Sequence, residues 1–526
     1  MLIDARTLPE NKIIKTDVCI IGAGPAGITL AHEFIGQPFR VCLLESGGLE
    51  LDEKTQSLSE GENVGLSYFP LETTRFRYFG GTLGKEAWCW QLDEIDFETR
   101  DWIPYSGWPF SKSHLDPFYE RAQSILRLRH IAHDVEAWET KNSPCLLFIG
   151  DRVITKIIQI SPSIRFGEIY RDEVERADNI HTYLYANVLD IETTYTARTV
   201  THLQVACLQG NKFWVEAKLF ILATGGIENA RLLLLSNKVQ SAGLGNQNDL
   251  VGRFFMEHPH LESGILIPSD PCISAALYNL YNYECKVNNI PVIRAVALSA
   301  QTLRHEKLVN FSATLESSCY QVSNGVTSLE LLLKALRQRN MPDGLIKHLS
   351  NVIVDINDVA TAAYRKLFKG NSYPVKFFRL YNRTEQASNP NSRVTLTAER
   401  DCFGKNRVQL DWRLSPIDKS SLRRAHEIIR LELDRAGLGC LMITLDDNDT
   451  TWPLSLTGGH HHMGTTRMHV DPKRGVANEN CQVHGISNLF IAGSSLFPTS
   501  GCANPTLTIV ALAVRLADHM KRLMIC

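Results

Sequence analysis

Val18-Cys-Ile-Ile21-Gly22-Ala-Gly24-Pro-Ala-Gly27 joins four apolar residues, suited to a strand buried on both faces, to three glycines spaced Gly-x-Gly-x-x-Gly. Ile28, Leu30, Ala31 and Phe34 then recur at helical spacing. In that setting each glycine has its own mechanical use. Gly22 permits a tight turn, Gly24 lets backbone approach a diphosphate, and Gly27 lets the helix lie close to the strand. Pro25 and Ala26 open the helix whose N-terminus faces the phosphates. A second apolar run, Val41 to Leu44, ends in Glu45, placed to accept hydrogen bonds from ribose hydroxyls. Strand, turn, helix, strand and acid in this order predict a Rossmann-like dinucleotide site. These residues do not separate NAD from FAD.

The rest of the chain bounds the possibilities. Its 526 residues correspond to roughly two to four domains of about 150 residues. Apolar residues make up 44% and charged residues 21%, a globular composition. With 55 Lys+Arg against 57 Asp+Glu there is no positive excess to neutralise a phosphate backbone, so nucleic acid is not the expected partner. The 13 cysteines are irregularly spaced, with no Cys-x-x-Cys, as expected for scattered core thiols in a reducing compartment. Charges throughout Met1 to Lys15 argue against a secretory leader, and no apolar run is long enough for a transmembrane segment. The expected location is cytoplasmic.

At the other end stand His460-His-His-Met-Gly464-Thr-Thr-Arg467-Met and Asn488-Leu-Phe-Ile-Ala-Gly493-Ser-Ser-Leu-Phe-Pro498-Thr-Ser-Gly501-Cys-Ala-Asn504-Pro505-Thr506-Leu-Thr. This stretch resembles the closing signature of the glucose-methanol-choline (GMC) flavoprotein oxidoreductases. It is most similar to the branch containing pyranose oxidase, cellobiose dehydrogenase and aminosugar-oxidising enzymes, whose active-site pair is His and Asn. Ala223-Thr224-Gly225-Gly226-Ile-Glu-Asn-Ala-Arg231, Val251-Gly-Arg253 with Glu257-His-Pro259, and Glu385-Gln386 with Pro390-Asn-Ser-Arg393 resemble internal landmarks of that family.

The resemblance implies FAD, and oxidation of a primary or secondary alcohol on a sugar, aminosugar, polyol or glycoside. It places the base at His461 and its companion at Asn504, with the hydride passing to flavin N5 and oxygen, a quinone or a protein as electron acceptor. Cofactor contacts are then expected at Gly22, Gly24, Pro25, Ala26, Gly27, Glu45, Gly80, Gly81, Thr82, Thr224, Gly225, Gly493, Ser494, Ala503, Pro505 and Thr506. Many relatives carry a histidine after the Gly80-Gly81-Thr82 stretch, in some joined covalently to the flavin. Here Lys85 takes its place, so the FAD is expected to be dissociable.

Physical chemistry supplies the alternatives. An imidazole near neutral pKa suits a general base. On an extended backbone His460 and His462 would point one way and His461 the other, so no shared metal ion is expected. Asn504 before Pro505 and the apolar Leu507 to Leu516 also reads as a helix N-cap with proline at the first helical position. A capping side chain would be unable to bind substrate through the same atoms. Arg467 and Thr465 read as structural. A non-oxidative, lyase-like enzyme or a catalytically inactive FAD-binding protein would keep the same motifs.

The implied architecture is α/β, a discontinuous Rossmann-like FAD-binding domain with an α+β substrate domain on an antiparallel sheet. The FAD-binding domain is expected from residues 1–125, 201–262 and 454–526, with 126–200 mixed and 263–453 binding substrate. Arg393 to Leu396 and Val408 to Trp412 are expected strands of the sheet that roofs the flavin. A helix should start at Ser415 as N-cap, with Pro416 and Asp418 in its first turn, and stop at Gly437, burying Leu422, His426, Ile429, Leu433 and Ala436.

Overall fold

Val18–Ile21 and Val41–Leu44 run side by side as parallel strands, Val18 opposite Val41 and Ile21 opposite Leu44. They are the centre of a six-stranded parallel sheet in the order Leu2–Asp4, Ile180–Leu184, Val41–Leu44, Val18–Ile21, Leu219–Leu222, Leu489–Ile491. Every residue of the two central strands is buried, which is why they read as unbroken apolar runs. This computed structural model describes residues 1–83, 87–129, 138, 145–162, 165–271, 273, 278–279, 286–287, 289–319, 323–337, 344–360, 375–446, 448 and 451–525.

Helix Pro25–Glu33 follows the glycine turn, with proline at its start. Gly22 has φ +101°, and a Cβ there would meet the Ala223 carbonyl at 2.6 Å. Helix Thr506–Ile525 buries its apolar face against Pro25–Glu33 and Lys112–Ile125. The sheet and these helices share one apolar core.

A second, eight-stranded antiparallel sheet runs Gly439–Ile443, His260–Pro268, Val375–Thr384, Phe311–Cys319, Ile290–Leu298, Val153–Ile160, Trp88–Cys89, with Lys286–Val287 paired to its side. Helix Pro416–Arg435 packs on it, and together they hold a separate core. The helix starts with a Ser415/Asp418 capping box and Pro416 at its first position. Leu422, His426, Ile429 and Leu433 are buried as the stripe predicts, while Ala436 is only partly covered, and Gly437 follows with φ +66°.

One expectation is corrected. Arg393–Arg400 and Asn406–Asp411 pair antiparallel with each other, but they lie outside the large sheet. Asn406–Asp411 instead takes Gly61–Asn63 as a parallel neighbour. The cause is a local core, in which Val394, Val408, Leu410 and Trp412 bury against Leu71 and Phe255. The two strands of residues 88–89 and 153–160 conversely join the antiparallel sheet. Among the described residues, no helix is long and apolar enough to cross a membrane.

Candidate active site

A cavity of about 560 Å³ opens between the two sheets, a size usual for small-molecule and cofactor sites. The turns and helix starts that follow the parallel strands contribute Gly22, Gly24, Pro25, Ala26, Glu45, Thr224, Gly225, Gly493 and Ser494; the antiparallel sheet contributes Trp88, His260 and Arg383. Gly81, Thr82, His461, Asn504, Pro505 and Thr506 complete the wall. Three of the expected cofactor residues stand outside it. Gly27 works by packing, since a Cβ there would lie 1.8 Å from the Gly22 carbonyl oxygen. Gly80 sits behind the wall with its N–H on the Ala23 carbonyl, and Ala503 is buried in the core. Lys85 lies outside the described residues.

The cradle suits a bulky anionic ligand. A Cβ built on Gly24, Gly225 or Gly493 would meet no protein atom within 4 Å, so bare backbone faces the cavity at three points. Helices Pro25–Glu33, Gly225–Leu235 and Thr506–Ile525 all begin in the wall, aiming their positive ends at it. Glu45 stands in the wall, its carboxylate accepting the N–H groups of Ala23 and Gly47 and the Ser46 hydroxyl. Its remaining lone pairs leave capacity for a ribose hydroxyl. These residues therefore fit a dinucleotide such as FAD.

Side-chain bonds tie the chain segments together around this cavity. Asn229 accepts from Thr224 N–H and hydroxyl, and donates to Ser495 Oγ at 2.9 Å. Ser494 Oγ donates to the His462 carbonyl at 2.7 Å, and Thr465 Oγ1 donates to the Gly226 carbonyl. Arg467 is 1% exposed, donates to the Tyr105 carbonyl and stacks 4.6 Å from the Phe254 ring. Both Thr465 and Arg467 are thus engaged in holding the loop.

The three histidines diverge, though the backbone is not extended, since His460 has φ +60°. The His460 ring stands 4.5 Å from Phe69, edge on, and His462 Nε2 is 3.0 Å from the Tyr68 hydroxyl. His461 alone turns toward Asn504, whose Nδ2 lies 3.1 Å from its Nε2. On the other face of the ring, His461 Nδ1 is 2.9 Å from His258 Nδ1. The Asn504 side chain therefore does not cap the following helix; its Oδ1 is buried with no hydrogen-bond partner. Desolvation, then the neighbouring His258, His260 and Arg383, hold the His461 pKa well below the ordinary imidazole value, so the ring is neutral.

Glu257 organises this loop, a role that the sequence hinted at only through the Glu257-His258-Pro259 landmark. Its Oε1 accepts from the Tyr68 hydroxyl at 2.5 Å and the His461 N–H at 2.7 Å. Its Oε2 accepts from the N–H groups of His258 and Gly459. Burial nevertheless pushes this carboxyl up to about 7, the four donors opposing it. His258 shared that landmark without a role assigned to it, and Tyr68, His260 and Arg383 carried no motif of their own, because they reach the site only through sheet pairing and loop packing.

Comparison with known proteins adds what the chain is similar to. Residues 388–513 match the sequence model of the GMC oxidoreductase family. The large subunit of fructose dehydrogenase from Gluconobacter japonicus is 21% identical over 588 aligned positions, covering 97% of this chain and 98% of that one. The 6'''-hydroxyparomomycin C oxidase of Streptomyces lividus is 23% identical, covering 96% and 92%. In three dimensions the chain superposes on pyridoxine 4-oxidase from Mesorbium loti with a TM-score of 0.54 at 16% identity, over 96% of this chain and 98% of that one.

Proposed function

We propose, from the premise that this chain is a GMC oxidoreductase acting with FAD on CH–OH donors, that it oxidises a hydroxyl of a sugar, aminosugar or glycoside to the carbonyl. One observation carries the assignment of roles: the Asn504 amide and the His461 Nε2 meet at 3.1 Å in the wall of the cavity that the glycine turn and Glu45 also line. FAD, when bound, supplies the hydride acceptor. The chain supplies the rest. His461, neutral because it is desolvated, takes the hydroxyl proton on Nε2. The Asn504 amide turns its donor from the ring to the substrate oxygen and orients the carbon, while its unpartnered Oδ1 offers an acceptor to a neighbouring hydroxyl. The start of helix Thr506–Ile525 opens in the cavity wall and would offer positive backbone potential to negative charge on the bound cofactor.

The polyhydroxy nature of the substrate is supported by the aminoglycoside and sugar names of the full-length relatives and by polar His260 and Arg383 in the wall. Stopped-flow flavin reduction against a panel of sugars and aminosugars tests this reading, followed by reoxidation with oxygen or a quinone. His461→Ala should retain FAD and lose about 10² to 10⁴ in reductive rate. Stoichiometric FAD that no alcohol bleaches would instead favour a non-oxidative or inactive protein. Dissociable FAD is checked by acid precipitation, which should release all yellow colour to the supernatant; a yellow pellet contradicts it.

A further inference from the structure

Which nitrogen of His461 carries hydrogen decides whether the ring can act as a base toward the cavity. An amide NH₂ only donates, so Asn504 Nδ2 meets a lone pair on His461 Nε2. A neutral imidazole has one hydrogen, which then sits on Nδ1, facing His258 Nδ1 at 2.9 Å. Two nitrogens at this distance share a single hydrogen, so His258 Nδ1 is the acceptor. Its own hydrogen is left on Nε2, a buried atom with no hydrogen-bond partner among the described residues, while the backbone of Ser500 and Gly501 favours the protonated ring.

We propose that His258 is a positioning residue for the base: by accepting Nδ1–H it fixes the tautomer of His461 that presents Nε2 to the reacting hydroxyl. This rests on the reading of His461 as the base. His258 is itself 0% exposed, and its N–H shares the Glu257 carboxylate with those of Gly459 and His461, so both rings are held from one anchor. When the hydroxyl proton arrives on Nε2, the hydrogen on Nδ1 stays where it is and its bond to His258 becomes charge-assisted. The other groups facing the pair are Arg383, His260 and His462, each of which disfavours a cation on His461. Among the described residues no ion pair includes the His461 ring, and a charged His258 would itself disfavour a cation there, so His258 supports the charged state only as a neutral acceptor of Nδ1–H. Burial lowers both rings, so both are neutral at rest and the 2.9 Å contact holds a single hydrogen.

The test has two arms on the FAD-loaded full chain. Selective ¹⁵N-histidine labelling, with His461 assigned by its loss in His461→Ala, reads the tautomer directly. The expected result is hydrogen on Nδ1; hydrogen on Nε2 overturns the inference. In the second arm flavin reduction is followed across pH for the wild type, His258→Leu and His258→Asn. Leucine removes the acceptor without making room for water and should slow reduction about 10- to 100-fold, the scale on which orienting partners of histidines act, with KM little changed. Asparagine, whose Oδ1 can accept from Nδ1–H, should recover most of the rate. Equal behaviour of the two variants overturns the inference, while a wild-type rate in His461→Ala overturns the underlying base assignment. If His258→Leu does not fold, the tautomer measured in the wild type still decides.

Discussion

Glu257 holds four donors on one carboxylate, two per oxygen, and three of them are backbone N–H groups flanking the histidine pair. Glutamine has the same shape but only one accepting oxygen. Glu257→Gln must therefore turn an NH₂ toward either the Tyr68/His461 pair or the His258/Gly459 pair, leaving buried donors unmet at about 1–3 kcal/mol. The expected outcome is a lower melting temperature together with slower flavin reduction at unchanged FAD content. A variant with wild-type melting and rate would show that the clamp is dispensable. Tyr68→Phe removes one donor and the His462 contact, so its effect should be smaller. At this scale the sequence was legible where a residue type is bound to a motif: His461 and Asn504 could be named, and the structure brings them together. It marked His258 only as part of the Glu257-His258-Pro259 landmark, with no role, and was silent on His260 and Arg383, because nothing local distinguishes a side chain aimed into a cavity from one satisfied in a core.

The glycine turn separates two kinds of requirement that look alike in the sequence. A methyl group on Gly27 would sit 1.8 Å from the Gly22 carbonyl oxygen, a backbone atom that cannot swing aside, whereas one on Gly24 would meet no protein atom. Gly27→Ala should thus push helix Pro25–Glu33 off the strand and lower both melting temperature and FAD content. Gly24→Ala, at φ −80°, should leave the melting temperature of the flavin-free protein unchanged and weaken FAD, through crowding of the ligand alone. Flavin titration and thermal melts of the two variants check the contrast; equal losses would mean that Gly24 also supports the fold. Elements with a strong local pattern were readable in advance: the central strands matched residue for residue, and the Ser415 capping box and Gly437 bracketed the long helix. What failed was the partnership of Arg393–Arg400 and Asn406–Asp411. Pairing is decided by which apolar patch a strand covers, here Leu71 and Phe255, and these lie far away in sequence.

Across the whole molecule, the cavity collects residues from the first fifty positions to the last helix, so burial at the junction of the two sheets governs its chemistry. The same burial gives a pH signature. His258 is pushed down to about 4, His462 and His426 to about 3, and His260 and His461 well below their ordinary value. Each of these contributes stability that is fully present above the unfolded imidazole value near 6.5 and is lost as pH falls toward its folded value. Glu257, Asp96 and Asp418 act in the opposite sense. Burial raises each to about 7, so their contribution is fully present below the unfolded carboxyl values near 4 and fades as pH rises through 7. Between about pH 4.5 and 6.5 the two sets oppose one another, five imidazoles against three carboxyls, and the unfolded chain binds more protons on balance. Stability should therefore fall as the solution is acidified from pH 6.5 to 4.5, less steeply than the histidines alone would give. From 6.5 to 8 the unfolded imidazoles finish losing their protons while the three carboxyls lose theirs in the folded state, and the carboxyls slightly outweigh them, so stability should also decline a little on the alkaline side. Melting temperatures of the flavin-loaded protein at constant ionic strength should then peak near pH 6.5. A peak near pH 5 would mean that the carboxyls outweigh the histidines, and that the imidazoles around His461 are wetter than the closed cavity wall implies.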